Sequence, residues 1–175
     1  MVVSRYNSLW LLGQEGYPMD RYDKLDLLSF GEYVPGLRSK PSLVAKYFPA
    51  AFPPLNEGKP KGPWLIERGL RLCPILSLET VKQNFVLQRV RATLPHLIIN
   101  AVNDQWDVES GLPELHFQVI AMRAVEHRKA IIVASDEGVS GVIGPHGRAI
   151  VRAPKAEPCR FTAEVPLLGR STLFT

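Results

Sequence analysis

The decapeptide "RLCPILSLET", residues 71–80, holds a thiol, a hydroxyl and a carboxylate within seven positions. Cys73 and Ser77 are the two possible nucleophiles there, and Glu79 lies where an apolar run gives way to helical spacing. Backbone N–H groups at such a junction have no partner inside the helix and can hold a developing oxyanion. Farther back, "YDKLDLLSFGEYVPG" sets Lys24 eight residues before Glu32, a cation and an acid separated by a Phe-Gly hinge. Read alone, these two are better taken as an edge-strand lysine and a solvated loop carboxylate. Polar groups recur after the next apolar run, at Asn103, Asp104 and Trp106, then at His116, and again in "ASDEGVSGVIGPHG".

The elements that must position them follow from periodicity. "YNSLWLL" (6–12) and "RYDKLDLLSF" flank Gly13, Gly16 and Pro18 and read as a hairpin-like pair of strands. Pro and Gly then recur from 34 to 63 with only "SLVAKYF" helical in spacing, an irregular excursion of the kind that serves a site or a partner. "LRLCPILSL" (70–78) reads as a strand covered on both faces, 79–92 as a helix, and "HLIINAV" (96–102) as a second buried strand. A long helix starts near Glu114, and four short strands follow at 130–135, 138–145, 148–153 and 160–167. This β-α-β-α pattern with a final meander places the chain in the layered α/β class, where sites gather at the carboxyl ends of strands.

Composition narrows the function. The chain has 175 residues, 46% hydrophobic and 22% charged, with a formal charge of +4 from scattered Lys and Arg, which argues against a nucleic-acid partner. Cys73 and Cys159 are far apart and fit neither a disulfide framework nor metal-ligand spacing, so no metal or cofactor is expected. No run reaches the roughly 18 apolar residues of a membrane helix, and the first ten residues lack a signal-peptide layout.

Taken in order, the motifs resemble the carbon-nitrogen hydrolase (nitrilase-type) domain of bacterial apolipoprotein N-acyltransferases. The resemblance rests on Tyr22, Lys24, Leu27, Phe30, Gly31, Glu32 and Pro35, then on Asn100, Asn103, Asp104 and Trp106. It continues through Pro113 with His116, Arg123 with Ala124 and Glu126, and Gly138 with Ser140, Ile143, Pro145 and Gly147. Leu28 and Ser29 depart from the family's Val-Pro, and Asp136 and Glu137 add two acids where the family carries neutral residues.

That resemblance implies an α-β-β-α sandwich made as a single, partial domain over 1–175, with the first strands of the domain missing from this chain. It implies a Glu-Lys-Cys triad in which Lys24 is the lysine, Glu32 is a further essential acid, and Ser77 stands where the cysteine belongs. Glu79, Asn103, Asp104, Trp106 and His116 are expected to support the site. The family's general-base glutamate lies upstream of the Tyr-x-Lys segment, so the chain is expected to lack it; Glu15 sits in a turn that reads as exposed. Cys73, inside the strand and before Pro74, is expected to be a small buried hydrophobe.

The implied reaction moves a fatty acyl group from a phospholipid to the N-terminal amine of a lipoprotein, without a cofactor, in a domain facing the periplasm at the inner membrane. A serine hydroxyl is far less acidic than a thiol, so activity is expected to be impaired or absent. The 34–63 excursion is the expected membrane contact, with Tyr47, Phe48, Phe52 and Trp64 as candidate apolar contacts; the same aromatics also fit ordinary packing. Two other readings stay open: a non-catalytic binding or assembly domain of the same fold, and a Ser-Lys amidase or esterase in which Lys24 activates Ser77.

Overall fold

The computed structural model describes residues 4–104, 110–153, 158–169 and 172–174. The chain divides into two compact units, Met1–Lys61 and Gly62–Thr175. In the first, strands β1 (Ser8–Leu12) and β2 (Pro18–Asp23) pair antiparallel, and Gly16 takes the left-handed φ of +79° that the turn between them requires. Beyond β2 the chain is less irregular than its Pro and Gly content suggests. Helix α1 (Pro41–Tyr47) begins on a proline, whose missing N–H costs nothing at a first turn, and a 3-10 turn follows at Pro49–Ala51. Val34, Val44 and Ala51 bury together there under Leu37 and Phe48.

In the second unit, β3 (Trp64–Ile66), β4 (Leu70–Leu76), β5 (Leu97–Val102), β6 (Ala130–Ser135), β7 (Gly141–Ile143) and β8 (Ala149–Arg152) form one sheet in that order. The central strands β4, β5 and β6 are parallel, with Leu72, Leu97 and Ala130 in register near their amino ends and Leu76, Ala101 and Ala134 near their carboxyl ends. Their near-continuous apolar sequence is what burial in a parallel sheet demands. Cys73, Ile75, Ile98, Val102, Ile131 and Val133 turn to one face, where they pack with Val86 and Val90 of helix α2 (Gln83–Thr93) and with Phe117, Ile120 and Ala124 of helix α3 (Leu112–His127). Parallel strands joined by helices on that face are the βαβ connection expected of this pattern.

Three expectations are corrected. The segment 160–167 is not a strand: Pro166 interrupts any ladder, and none of residues 158–169 pairs with the sheet. The helix expected from 79 starts at Gln83, because Ser77–Val81 first winds as a tighter 3-10 turn. Trp64 is buried at 4% exposure in β3 and cannot be an open apolar contact, and Phe48 packs on the first unit's small core, which leaves Tyr47 and Phe52 as the exposed aromatics of the excursion.

Candidate active site

Ser77 directly follows the last residue of β4, and it adopts φ +51°, in the left-handed region that a non-glycine residue rarely occupies. Such strain persists only where the surroundings hold it, and two contacts do so here. Glu79, 1% exposed, folds back and accepts the Leu76 N–H at 2.8 Å. Thr80 donates its hydroxyl to the Ser77 carbonyl at 2.9 Å. The strand is thereby turned sharply into the 3-10 segment with the serine at the corner and half-buried. A strained strand-to-helix corner is the geometry that presents a nucleophile clear of its own backbone.

Behind this corner lies a buried polar chain. Thr80 Oγ1 accepts from Asn100 Nδ2 at 3.2 Å and lies 3.1 Å from His116 Nε2, while His116 Nδ1 lies 3.3 Å from Asp104 Oδ1. One hydroxyl proton serves two acceptors, so Nε2 accepts when that proton turns away from the Ser77 carbonyl and donates when it does not. Asn100 sits in mid-strand with Ile75 and Val133 as its cross-strand neighbours, pointing toward the helices, and its Oδ1 is buried with no hydrogen-bond partner among the described residues. The 136–138 turn presses on the same acid: a Cβ on Gly138 would lie 2.6 Å from Asp104 Oδ2. Asp104 and His116 are thus brought together as the sequence suggests, and Glu79 sits beside the serine. Asn103 is exposed on its turn, and Trp106 lies outside the described residues. Thr80 and Asn100 are the partners that the sequence reading passed over as site residues; the signals were a hydroxyl three residues after Ser77 and a lone amide in an apolar strand.

Lys24 and Glu32 form their own cluster in the first unit. Lys24 Nζ donates to Glu32 Oε2 at 2.7 Å with the lysine side chain 4% exposed. Glu32 Oε2 also accepts the Leu28 N–H at 2.7 Å, and Oε1 accepts Asn7 Nδ2 at 2.9 Å. Burial pushes this carboxyl up, but the Leu28 N–H, Lys24 and Asn7 together outweigh it and hold it below the ordinary carboxylate value. An acid so engaged fixes the lysine in place more readily than it accepts a proton.

Cys73 is fully buried, and burial pushes its thiol up despite the Arg89 guanidinium nearby, as expected of a packing residue. On the sheet's other face, Ile132, Ser135, Asp136, Glu137, Ser140 and Phe161 border a cavity of about 590 Å³ at the carboxyl end of β6. Among the described residues no cluster of three or more His, Cys, Asp or Glu could hold a metal ion.

Parallel strands backed by helices, with a strained corner at the carboxyl end of one strand, define a layered α/β protein, and solved structures place its fold more closely. The carbon-nitrogen hydrolase from Helicobacter pylori superposes with a TM-score of 0.64 at 14% identity, covering 93% of this chain and 57% of that one. An amidase from Nesterenkonia sp. gives 0.56 at 18% identity, over 87% and 52%. The fold is that of the nitrilase superfamily. Among curated proteins, the apolipoprotein N-acyltransferase of Allorhizobium ampelinum is 31% identical over 164 residues, 90% of this chain and 30% of the relative. That of Pseudomonas aeruginosa is 30% identical over 168 residues, 95% and 32% respectively. The chain is therefore homologous to a segment of the apolipoprotein N-acyltransferases and spans about a third of the length of the relatives it matches. No protein-family profile matches it.

Proposed function

We propose that the chain is part of a nitrilase-type N-acyltransferase domain in which Ser77 occupies the nucleophile position. The observation that supports this most is the left-handed Ser77 at the end of β4, held by Glu79 and Thr80. The relatives' printed name, apolipoprotein N-acyltransferase, supports the substrate class: a phospholipid as acyl donor and a lipoprotein N-terminal amine as acceptor. In that reaction the nucleophile attacks the lipid's ester carbonyl, the lysolipid alkoxide leaves with a proton, and the amine then takes the acyl group from the enzyme. The sequence resemblance assigns Lys24 to the tetrahedral oxyanion and makes Glu32 a further essential acid, and the Lys24–Glu32 ion pair supports a role for that acid in holding the lysine. Exposed Tyr47 and Phe52 are the proposed membrane contacts of the excursion.

Serine is the weak point of this arrangement. In the related Nesterenkonia amidase the active-site residue that adds acrylamide is a cysteine. A hydroxyl loses its proton far less readily than a thiol with a pKa near about 8.5, so it attacks only with a well-placed base. The chain is accordingly proposed to be impaired in transfer. Incubation with phospholipid and a diacylated lipopeptide should give product at the level of a Ser77→Ala control. Turnover clearly above that control would overturn the impairment, and covalent labelling of Ser77 by a fluorophosphonate would replace it with a serine acyl-enzyme.

A further inference from the structure

Two side chains hold the Ser77 corner, and they differ in kind. Glu79 accepts the Leu76 N–H and needs no proton of its own to do so. Thr80 holds the Ser77 carbonyl with a single hydroxyl proton, so its grip depends on what its other neighbours do with the same oxygen. Those neighbours are Asn100 Nδ2 at 3.2 Å and His116 Nε2 at 3.1 Å, and all three residues are buried.

A count of protons constrains this arrangement. Thr80 Oγ1 carries one proton and two lone pairs. With the proton on the Ser77 carbonyl, the lone pairs take two donors, Asn100 Nδ2 and a proton on His116 Nε2. At the far side of the ring, Nδ1 lies 3.3 Å from Asp104 Oδ1, where a bare nitrogen would set its lone pair against a carboxylate oxygen. The contacts are all made together only when the His116–Asp104 pair carries one proton more than a neutral imidazole and a carboxylate supply. Without that proton, Nδ1 keeps its hydrogen on Asp104 and Nε2 is bare. The Thr80 hydroxyl then turns to the ring, and the Ser77 carbonyl loses its donor. Left-handed backbone at a serine costs about as much as one such hydrogen bond contributes, so this loss is enough to shift the corner.

We infer that His116 is a positioning residue for Ser77, acting through Thr80 and only while its pair with Asp104 holds the extra proton. As pH rises through the titration of that pair, the corner is released. The inference rests on the reading of Ser77 as the nucleophile, since that is what gives the corner a part in the chemistry. Among the described residues, Asp104 is the charged group that touches His116. The elements packed around the ring add Glu79 on the 3-10 turn, Asp136 and Glu137 on the turn that presses Asp104, Arg89 of α2, and Glu114 and Arg123 of α3. Asp107 and Glu109 lie outside the described residues.

The test is a pH titration of the full chain, isotope-labelled in its histidine rings and serine carbonyls and followed by NMR. The signals of His116 and Ser77 are assigned by their loss in His116→Gln and Ser77→Ala. Nε2 of His116 should carry a proton wherever the Ser77 carbonyl shows its hydrogen-bonded shift, and the two signals should change together with one midpoint. Thr80→Val should free the carbonyl from that titration while the ring still titrates, and Thr80→Ser should restore the coupling. In a chain carrying Ser77→Cys and Cys159→Ser, Thr80→Val should slow acylation by a p-nitrophenyl fatty-acyl ester about tenfold below that midpoint and little above it. The thiol's own ionisation is common to both chains and drops out of the comparison. A bare Nε2 beside an intact carbonyl bond would overturn the inference. So would a carbonyl shift that stays flat through the ring's titration, or one that follows it equally in Thr80→Val. An introduced thiol that is not acylated at any pH would instead overturn the nucleophile reading, whatever the ring and the carbonyl do.

Discussion

Helix α3 carries two buried histidines about three turns apart, and their surroundings differ in every respect that matters. His116 has both ring nitrogens engaged, by Thr80 and Asp104, and through Thr80 it reaches the carbonyl of Ser77. His127 is fully buried with neither nitrogen hydrogen-bonded among the described residues, its ring meeting Phe174 edge-on at 5.4 Å. A helix C-terminus ordinarily favours a protonated imidazole. Here burial first, and then Arg123, Arg91 and Lys129, reverse that preference and lower His127 to about 4. The difference teaches that the buried histidine at the carboxyl end of this sheet is held by polar partners, whereas the one near the amino end is kept neutral by burial and neighbouring cations. A histidine serves as a network member in one and as a neutral packing group in the other.

The largest effect should come from breaking the paired end. His116→Leu strips Asp104, 4% exposed, of its imidazole and leaves the Thr80 hydroxyl one partner short; a loss of about 3 kcal/mol is expected in denaturant unfolding. Gly138→Ala attacks the same acid from the other side. Its added methyl would meet Ser135 Oγ and Asp104 Oδ2 at 2.5 and 2.6 Å, so about 2 kcal/mol should be lost as the turn is forced away, again read from an unfolding curve.

Changing His127 should do least at neutral pH and most in acid. The unfolded chain protonates this ring near its ordinary 6.5, the folded chain only near 4. Protonation therefore favours unfolding as pH falls from about 6.5 toward 4, and the stabilisation from keeping the ring neutral is complete above that window. His127→Phe should change stability at pH 7.5 by no more than about 1.5 kcal/mol and flatten the decline between pH 6.5 and 4. An unchanged acid slope in that variant would mean that His127 is not the group responsible and would erase the contrast with His116.

How far these features could be read from sequence depends on where their causes lie. Strands β4 and β5 were legible because a continuous apolar run bounded by turn residues has few other uses, whereas the residues alone left Cys73 and Ser77 open and only the family resemblance pointed to Ser77. Thr80 and Asn100 were not, because a threonine after a strand and an amide within one acquire meaning only when α3 brings His116 between them. The hairpin was visible in its flanking glycines, whereas the small core around Val44 was hidden by the prolines that surround it. The segment at 160–167 alternates like a strand, and Pro166 was the one local sign against a ladder there. Arg71, Arg91 and Lys129 are spread along the chain and meet only because parallel strands bring their amino ends to one edge. His127 misleads for a similar reason, since its own helix end argues for the charged form, while the burial that decides against it is supplied by the elements packed around it.

The central claim, that Ser77 holds the nucleophile position, is tested most directly by giving that position a thiol. In a Cys159→Ser background, Ser77→Cys should be acylated by a p-nitrophenyl fatty-acyl ester. The mass gain should be removed by hydroxylamine and be placed at position 77 by fragment-ion sequencing of the tryptic peptide 72–82, which also holds Cys73. Cys73, buried and with its thiol pushed up, supplies an internal control four residues away and should stay unmodified. Rapid acylation of the introduced thiol alone is the predicted result. A thiol at 77 that reacts no faster than Cys73, or an acyl group found elsewhere on the chain, would contradict the account.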